Sequence, residues 1–97
     1  MKKRFIVCIN NATDEQRRLF TEYVGKYSWW HYMQNIWLVT DTTNTLTASI
    51  IRDKAKDIFQ LETIMVFQLD SKNDTWAGFG PNNENVNMYT WINANWN

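Results

Sequence analysis

Between residues 13 and 59 the apolar residues change their period twice, and that change constrains the fold more than any other feature of the chain. In NATDEQRRLFTEYVGKY, Leu19, Phe20, Tyr23, Val24 and Tyr27 recur at helical spacing, which predicts a helix with one apolar face. Thr13 followed by Gln16 is a capping-box pattern, Asp14 and Glu15 suit the positive end of the helix, and Gly25 lies near its stop. SWWHYMQNIWLVTD then switches to strand character. Gln34-Asn35 interrupts it, and Asn tolerates the left-handed turn conformation, so Ser28–Met33 and residues 36–40 read as a hairpin. Strict alternation puts Trp29, His31 and Met33 on one face and Trp30 and Tyr32 on the other. In the second strand Ile36 and Leu38 oppose Trp37 and Val39, and alternation leaves open which set meets the helices. After the polar connector DTTNT, the stretch LTASIIRDKAKDIF returns to helical spacing, with Leu46, Ile50, Ile51, Ala55, Ile58 and Phe59 on one side. Arg52, Asp53, Lys56 and Asp57 take the solvent side.

Strands flank this unit at both ends. RFIVCIN, residues 4–10, is a buried strand, and TIMVFQLD, residues 63–70, is a fourth strand, apolar on both faces for four residues. SKND is a loop, and WAGFGP, with two glycines and the only proline, is irregular. The final stretch places Val86, Tyr89, Ile92 and Trp96 near helical spacing, which predicts a short C-terminal helix. The order strand-helix-strand-strand-helix-strand plus a tail predicts an α+β fold. With right-handed crossovers it is the ferredoxin-like βαββαβ sandwich, a four-stranded antiparallel sheet with both helices on one face. The 97 residues fit one domain, 1–97, with residues 75–97 as a C-terminal extension. In this layout the fourth strand is an edge, and IMVF is too apolar to be left bare. The extension or a second protomer adding strand to strand would cover it. The sheet face opposite the helices poses the same demand.

Composition removes several classes of function. The formal charge is zero, which argues against a general nucleic-acid binder that relies on phosphate neutralisation. Lys2, Lys3, Arg4, Arg17, Arg18 and Lys26 nevertheless gather in the first thirty residues. The single cysteine, Cys8, has no internal disulfide partner and reads as a core thiol. No apolar run approaches the length of a membrane span, and the N-terminal apolar segment is too short for a signal peptide. The expectation is a cytoplasmic protein with no membrane partner. Two glycosylation patterns, at Asn11 and Asn73, are what chance yields in a chain this rich in Asn.

WWHY with WLV, the IRDK helix, the strand IMVFQL, WAGFG and the closing WINANW together resemble a group of small SinR-like proteins. That group is similar to the ferredoxin-like nuclease subunit of CRISPR spacer acquisition. The resemblance covers nearly the whole chain, and its most specific words are Trp29-Trp30-His31-Tyr32 and Trp76-Ala77-Gly78. It implies the same fold and a homodimer formed through sheet edges. The nuclease relatives carry an Asp at the end of the first strand, paired across a dimer to hold a metal. Here that strand ends in Cys8, Ile9, Asn10 and Asn11, and an amide is a poor replacement for a charged metal ligand.

The residues offer little catalytic chemistry. One His and one Cys do not make a zinc site. Cys8 with His31 would need a lowered thiol pKa that a core strand does not supply. Paired carboxylates would require Asp41, Asp70 or Asp74 to converge, and GFGP has neither the Lys nor the strand-to-helix context of a phosphate loop. No cofactor is expected. The aromatics remain. Tyr23, Trp37 and most of the six tryptophans read as packing. Trp29, His31 and Tyr32 are expected at the surface, where exposed rings on a sheet can stack bases. Arg4 and its lysine neighbours would supply phosphate contacts, and Asn10, Asn11 and Asn82 would read base edges. The candidate ligand-binding set is therefore Trp29, Trp30, His31, Tyr32, Trp76, Phe79, Asn10, Asn11 and Arg4. The first functional expectation is a non-enzymatic protein that captures a nucleotide or short nucleic acid in a dimer cleft, sequestering a host signal as proteins of mobile elements do. The second is a protein-interaction module or inhibitor that engages a host protein through the fourth strand or the Trp-rich tail. The third is a degenerate metal-dependent nuclease.

Overall fold

The computed structural model describes residues 2–60, 62–69, 76–78 and 80–96. Seven elements follow in order: β1 (Lys3–Ile9), α1 (Asp14–Val24), β2 (Ser28–Met33), β3 (Ile36–Asp41), α2 (Ala48–Phe59), β4 (Ile64–Leu69) and α3 (Met88–Asn95). The expected SKND loop lies outside the described residues. The fold is α+β. Its four strands form one open sheet in the order β2-β3-β1-β4, and every neighbouring pair is antiparallel. β1 and β3 are therefore inner strands, and β2 and β4 are edges.

Local sequence chemistry sets the helix ends. At α1 the Gln16 N–H donates to Thr13 Oγ1 (3.1 Å) while the Thr13 N–H donates to Gln16 Oε1 (2.9 Å), the reciprocal pair expected of a capping box. At α2 the Ile50 N–H donates to Thr47 Oγ1, and at α3 the Tyr89 and Thr90 N–H groups donate to Asn87 Oδ1. Each cap satisfies amides that the first helical turn leaves without partners.

The sheet carries two separate apolar clusters. On one face Phe5, Val7 and Ile9 of β1 and Trp37 and Val39 of β3 pack against Phe20 and Val24 of α1 and Ile51, Ala55 and Phe59 of α2. Each of the Val, Ile and Phe side chains among them, fully buried, stabilises the fold by about 1.5–3 kcal/mol. On the opposite face Trp30 and Leu38 pack against Ile92 and Trp96 at the C-terminus, with Ile6, Leu69, Trp76, Met88, Tyr89 and Trp91 partly buried around them. The C-terminal extension thus lies over the open sheet face beside β2. α3 itself packs against β2.

Strand β2 departs from strict alternation. Trp30 opposes Leu38 and Met33 opposes Ile36, so His31 and Tyr32 together face the single residue Trp37. That is a β-bulge. The extra residue moves Met33 off the face of Trp29 and onto the face of Ile36 and Trp30. The alternation read from sequence holds through Tyr32 and fails at Met33 for this reason.

Candidate functional site

The sheet divides the nominated aromatics. Trp29 pairs with Val39 and shares its face, towards α1 and α2, and the Trp29 side chain is 37% exposed. His31 lies on the same face, stacked on the buried Trp37 with ring centroids 4.1 Å apart and planes 13° from parallel. Trp30 is buried on the other face beneath α3. Tyr32, 43% exposed, lies near it at a ring distance of 5.5 Å. The nominated aromatics therefore lie on two surfaces separated by the thickness of a sheet, as the alternation of Trp29, Trp30, His31 and Tyr32 predicts.

On the α3 face the nominated side chains act as a latch. The Trp30 indole N–H donates to the Met88 carbonyl (2.9 Å), and the Tyr32 hydroxyl donates to the Asn87 carbonyl (3.2 Å). Trp76 stacks on Tyr89, whose hydroxyl donates to the Gly78 carbonyl (3.0 Å). At the other end of α3, Thr40 Oγ1 donates to the Asn95 carbonyl (3.3 Å) and an Arg4 guanidinium N–H to the Trp96 carbonyl (3.4 Å). The Arg4 guanidinium also lies 5.5 Å from the centre of the Trp96 ring. Arg4 thus caps the negative end of a helix, where a cation is favoured. The two glycines of WAGFG have a packing role: a Cβ at Gly80 would strike the Met88 sulfur, and one at Gly78 would come within 2.9 Å of the Met88 methyl. Phe79 lies outside the described residues.

Several polar candidates make local hydrogen bonds, Asn10 through its backbone. The Arg17 Nε–H donates to Asn35 Oδ1 (3.2 Å), and Asn35 Nδ2 donates to the Asn10 carbonyl (3.5 Å). The Asn10 N–H donates to the Thr63 carbonyl, and Asn11 Oδ1 accepts from the Ala12 N–H (2.9 Å). Asn82 Oδ1 accepts from Asn87 Nδ2, which folds the loop before α3. The His31 Nε2–H donates to the Gln34 carbonyl at 2.7 Å and holds the hairpin turn. Partial burial pushes the His31 pKa below its ordinary value. The Gln34 hydrogen bond opposes that shift, and the nearby Arg17 charge adds to it.

Geometry also bears on the catalytic pairings. Cys8 pairs with Ile36 on the face opposite His31, so the two cannot act on one substrate atom. Burial raises the Cys8 pKa, which disfavours the thiolate. Asp41 is fully buried, and its carboxylate accepts from the Thr43 hydroxyl (2.5 Å) and from the N–H groups of Thr43 (2.7 Å), Thr45 (2.9 Å) and Leu46 (2.8 Å). Burial pushes its pKa up, but the Thr43 hydroxyl and the three amides outweigh burial and hold it below the usual carboxylate value. Asn44 in the left-handed region (φ 61°) bends the loop so that these donors converge. Asp41 is a loop organiser with no lone pair left for a substrate. Asp70 and Asp74 lie outside the described residues. Among the described residues no three His, Cys, Asp or Glu side chains gather to hold a metal, and no helix is long and apolar enough to cross a membrane.

The apolar surface at β4 extends further across the sheet than the sequence indicated. One ladder row crosses the whole sheet on the α3 face: Met33, Ile36, Cys8 and Met65. Phe67, beside Ile6, continues the row on β4. Met33 is 53% exposed, Met65 52% and Phe67 47%. These apolar side chains lie on and beside β4, which among the described strands pairs with β1 and whose sequence IMVFQL carries no charge and no proline. The unbroken apolar run of β4 was the signal in the sequence. Met33 gave none, because only the bulge turns it to this face.

No known protein family, no curated protein and no solved structure matches the chain.

Proposed function

We propose that the protein is a non-enzymatic interaction module that binds a polypeptide strand along β4 and the apolar row beside it, with a second copy of the chain as its first partner. One observation carries this reading. A solvent-facing edge strand ordinarily carries lysine, proline or a bulge against pairing with other chains, and β4 has none of these while exposing Met65 and Phe67. Antiparallel self-pairing of two uncharged strands brings no like charges together, and strand addition draws its affinity from main-chain hydrogen bonds. The element order and the sheet order β2-β3-β1-β4 support a ferredoxin-like sandwich, which is also what the SinR-like resemblance implies. The engagement of His31 and Asp41 in packing and turns, and the raised thiol pKa of Cys8, support a role without catalysis.

Sedimentation equilibrium tests the reading directly. The wild-type chain is expected to run as a dimer, and the Met65→Lys/Phe67→Lys variant as a monomer with unchanged circular dichroism. A wild-type monomer that captures no partner strand removes the proposal.

Capture of a nucleotide or short nucleic acid is a second reading. The partly exposed rings of Trp29, Tyr32 and Trp76 around the β2 edge favour it. Titration with a panel of mono-, di- and cyclic nucleotides, followed by tryptophan fluorescence, is expected to show saturable quenching that Trp29→Ala weakens. A flat response across the panel ends it.

A further inference from the structure

The outer surface of α1 and α2 holds a feature unrelated to the β4 edge. Leu19, Glu22 and Tyr23 of α1, Lys26 just beyond it, and Lys54 and Ile58 of α2 line an open groove of about 310 Å³. On the α1 side these residues follow the spacing i, i+3, i+4, i+7, so they form one stripe beside the buried Phe20 and Val24. The floor is apolar. Leu19 belongs to the apolar face read from the sequence, yet it is 41% exposed because it lies at the rim of the groove and not in the core.

The charges around that floor are unbalanced. Glu22 is met by the Arg18 guanidinium, which also binds Glu15. Lys26 and Lys54 form no ion pair among the described residues. The Lys54 ammonium lies 5.7 Å from the centre of the Tyr23 ring, which holds it over the groove. Two ammonium groups thus border an aromatic and aliphatic floor, against a single carboxylate, Glu22, that shares the Arg18 guanidinium with Glu15.

We propose that this groove binds a small amphiphilic monoanion, an apolar body of a few carbons or one ring bearing a carboxylate or an equivalent head group. Size decides against a protein partner. A stable protein interface needs roughly 800 Å² from each side, and the helix surface around the groove is taken up by the paired charges Arg18–Glu15–Glu22 and Arg52–Asp53. The volume sits at the low end of small-ligand sites, about 300–1,000 Å³. The apolar body would lie on Leu19, Tyr23 and Ile58, and the anionic head would bridge Lys26 and Lys54.

The test is a titration of the ¹⁵N-labelled full chain with octanoate below its micelle concentration, with octanamide as the uncharged control and acetate as the head-group control. Octanoate is expected to shift the amides of Leu19, Tyr23, Lys26, Lys54 and Ile58 in a saturable way. Octanamide, acetate, and octanoate added to the Lys26→Gln/Lys54→Gln variant are each expected to bind at least about tenfold more weakly, the usual consequence of losing a charged contact. Both lysines are at the surface, so the variant should melt like the wild type. The proposal is overturned if octanoate shifts nothing, if it shifts Met33, Met65 and Phe67 instead, or if octanamide binds as well as octanoate.

Discussion

Replacing Trp30 should release the C-terminal helix while leaving the main core folded. Trp30 is 6% exposed, touches Leu38, Ile92 and Trp96, and donates its indole N–H to the Met88 carbonyl. Truncation of a buried Trp to Ala costs about 3–5 kcal/mol, as lost transfer energy plus the cavity left behind. A domain of this size has a total stability of about 5–15 kcal/mol, so Trp30→Ala removes a large share of it. The loss should fall unevenly. The cluster under α3 is separate from the one between the sheet and α1–α2, and α3 rests on the first alone. Trp30→Phe keeps a ring and loses the hydrogen bond, so about 1–2 kcal/mol is expected. Hydrogen exchange followed residue by residue is the assay. In Trp30→Ala the amides of Ile92, Asn95 and Trp96 should exchange as freely as in an unfolded chain. Those of Val7, Phe20 and Ile51 should keep most of their protection. Equal loss of protection in both clusters would refute the claim that the sheet carries two separable layers, and so would a fully protected α3.

Three further outcomes follow from particular contacts. Asp41→Asn should cost about 2–3 kcal/mol by chemical denaturation, because an amide nitrogen cannot accept from the Thr45 and Leu46 N–H groups and the latter is buried. The folded-state pKa of Asp41 is lowered, so its stabilising contribution is present above the ordinary Asp value and is lost as pH falls from there through the folded pKa. Acid titration of stability should lose this component in Asp41→Asn, and an unchanged acid limb would contradict the assignment. The folded-state pKa of His31 is also lowered, so stability should hold above the ordinary His value near 6.5 and decline as pH falls below it towards the folded pKa. His31→Phe should flatten that limb, and a limb that survives would assign it to another group. Gly80→Ala should lower stability by about 1 kcal/mol or less, because the Met88 end it would meet is flexible and can swing aside, and Met88→Ala in the same chain should remove that cost. Additive losses in the double variant would count against that contact.

Much of the architecture was legible from local chemistry. Thr13 with Gln16 announced the start of α1, the helical spacing of Ile51, Ala55 and Phe59 announced the inner face of α2, and Gln34-Asn35 announced the hairpin. Each signal is complete within a few residues. The candidate site was less legible because it depends on what lies across the sheet. A bulge inserts one residue without altering composition, so nothing in WWHYM marks His31 and Tyr32 as sharing one partner or turns Met33 over. Arg4 reads as a free cation until α3 arrives, ninety-two residues later, and offers it the Trp96 carbonyl. Gly78 and Gly80 read as loop punctuation, although their work is to admit Met88. In each case the partner is distant in sequence, and burial against it decides the role.

The most direct measurement for the interaction proposal is hydrogen exchange at β4 as a function of protein concentration. If β4 pairs with a second copy, the amides of Ile64–Leu69 that point away from β1 should become protected as concentration rises, and the Met65→Lys/Phe67→Lys variant should abolish that protection. Exchange of those amides at the rate of a free strand, the same at every concentration and in the presence of candidate partner strands, would contradict it.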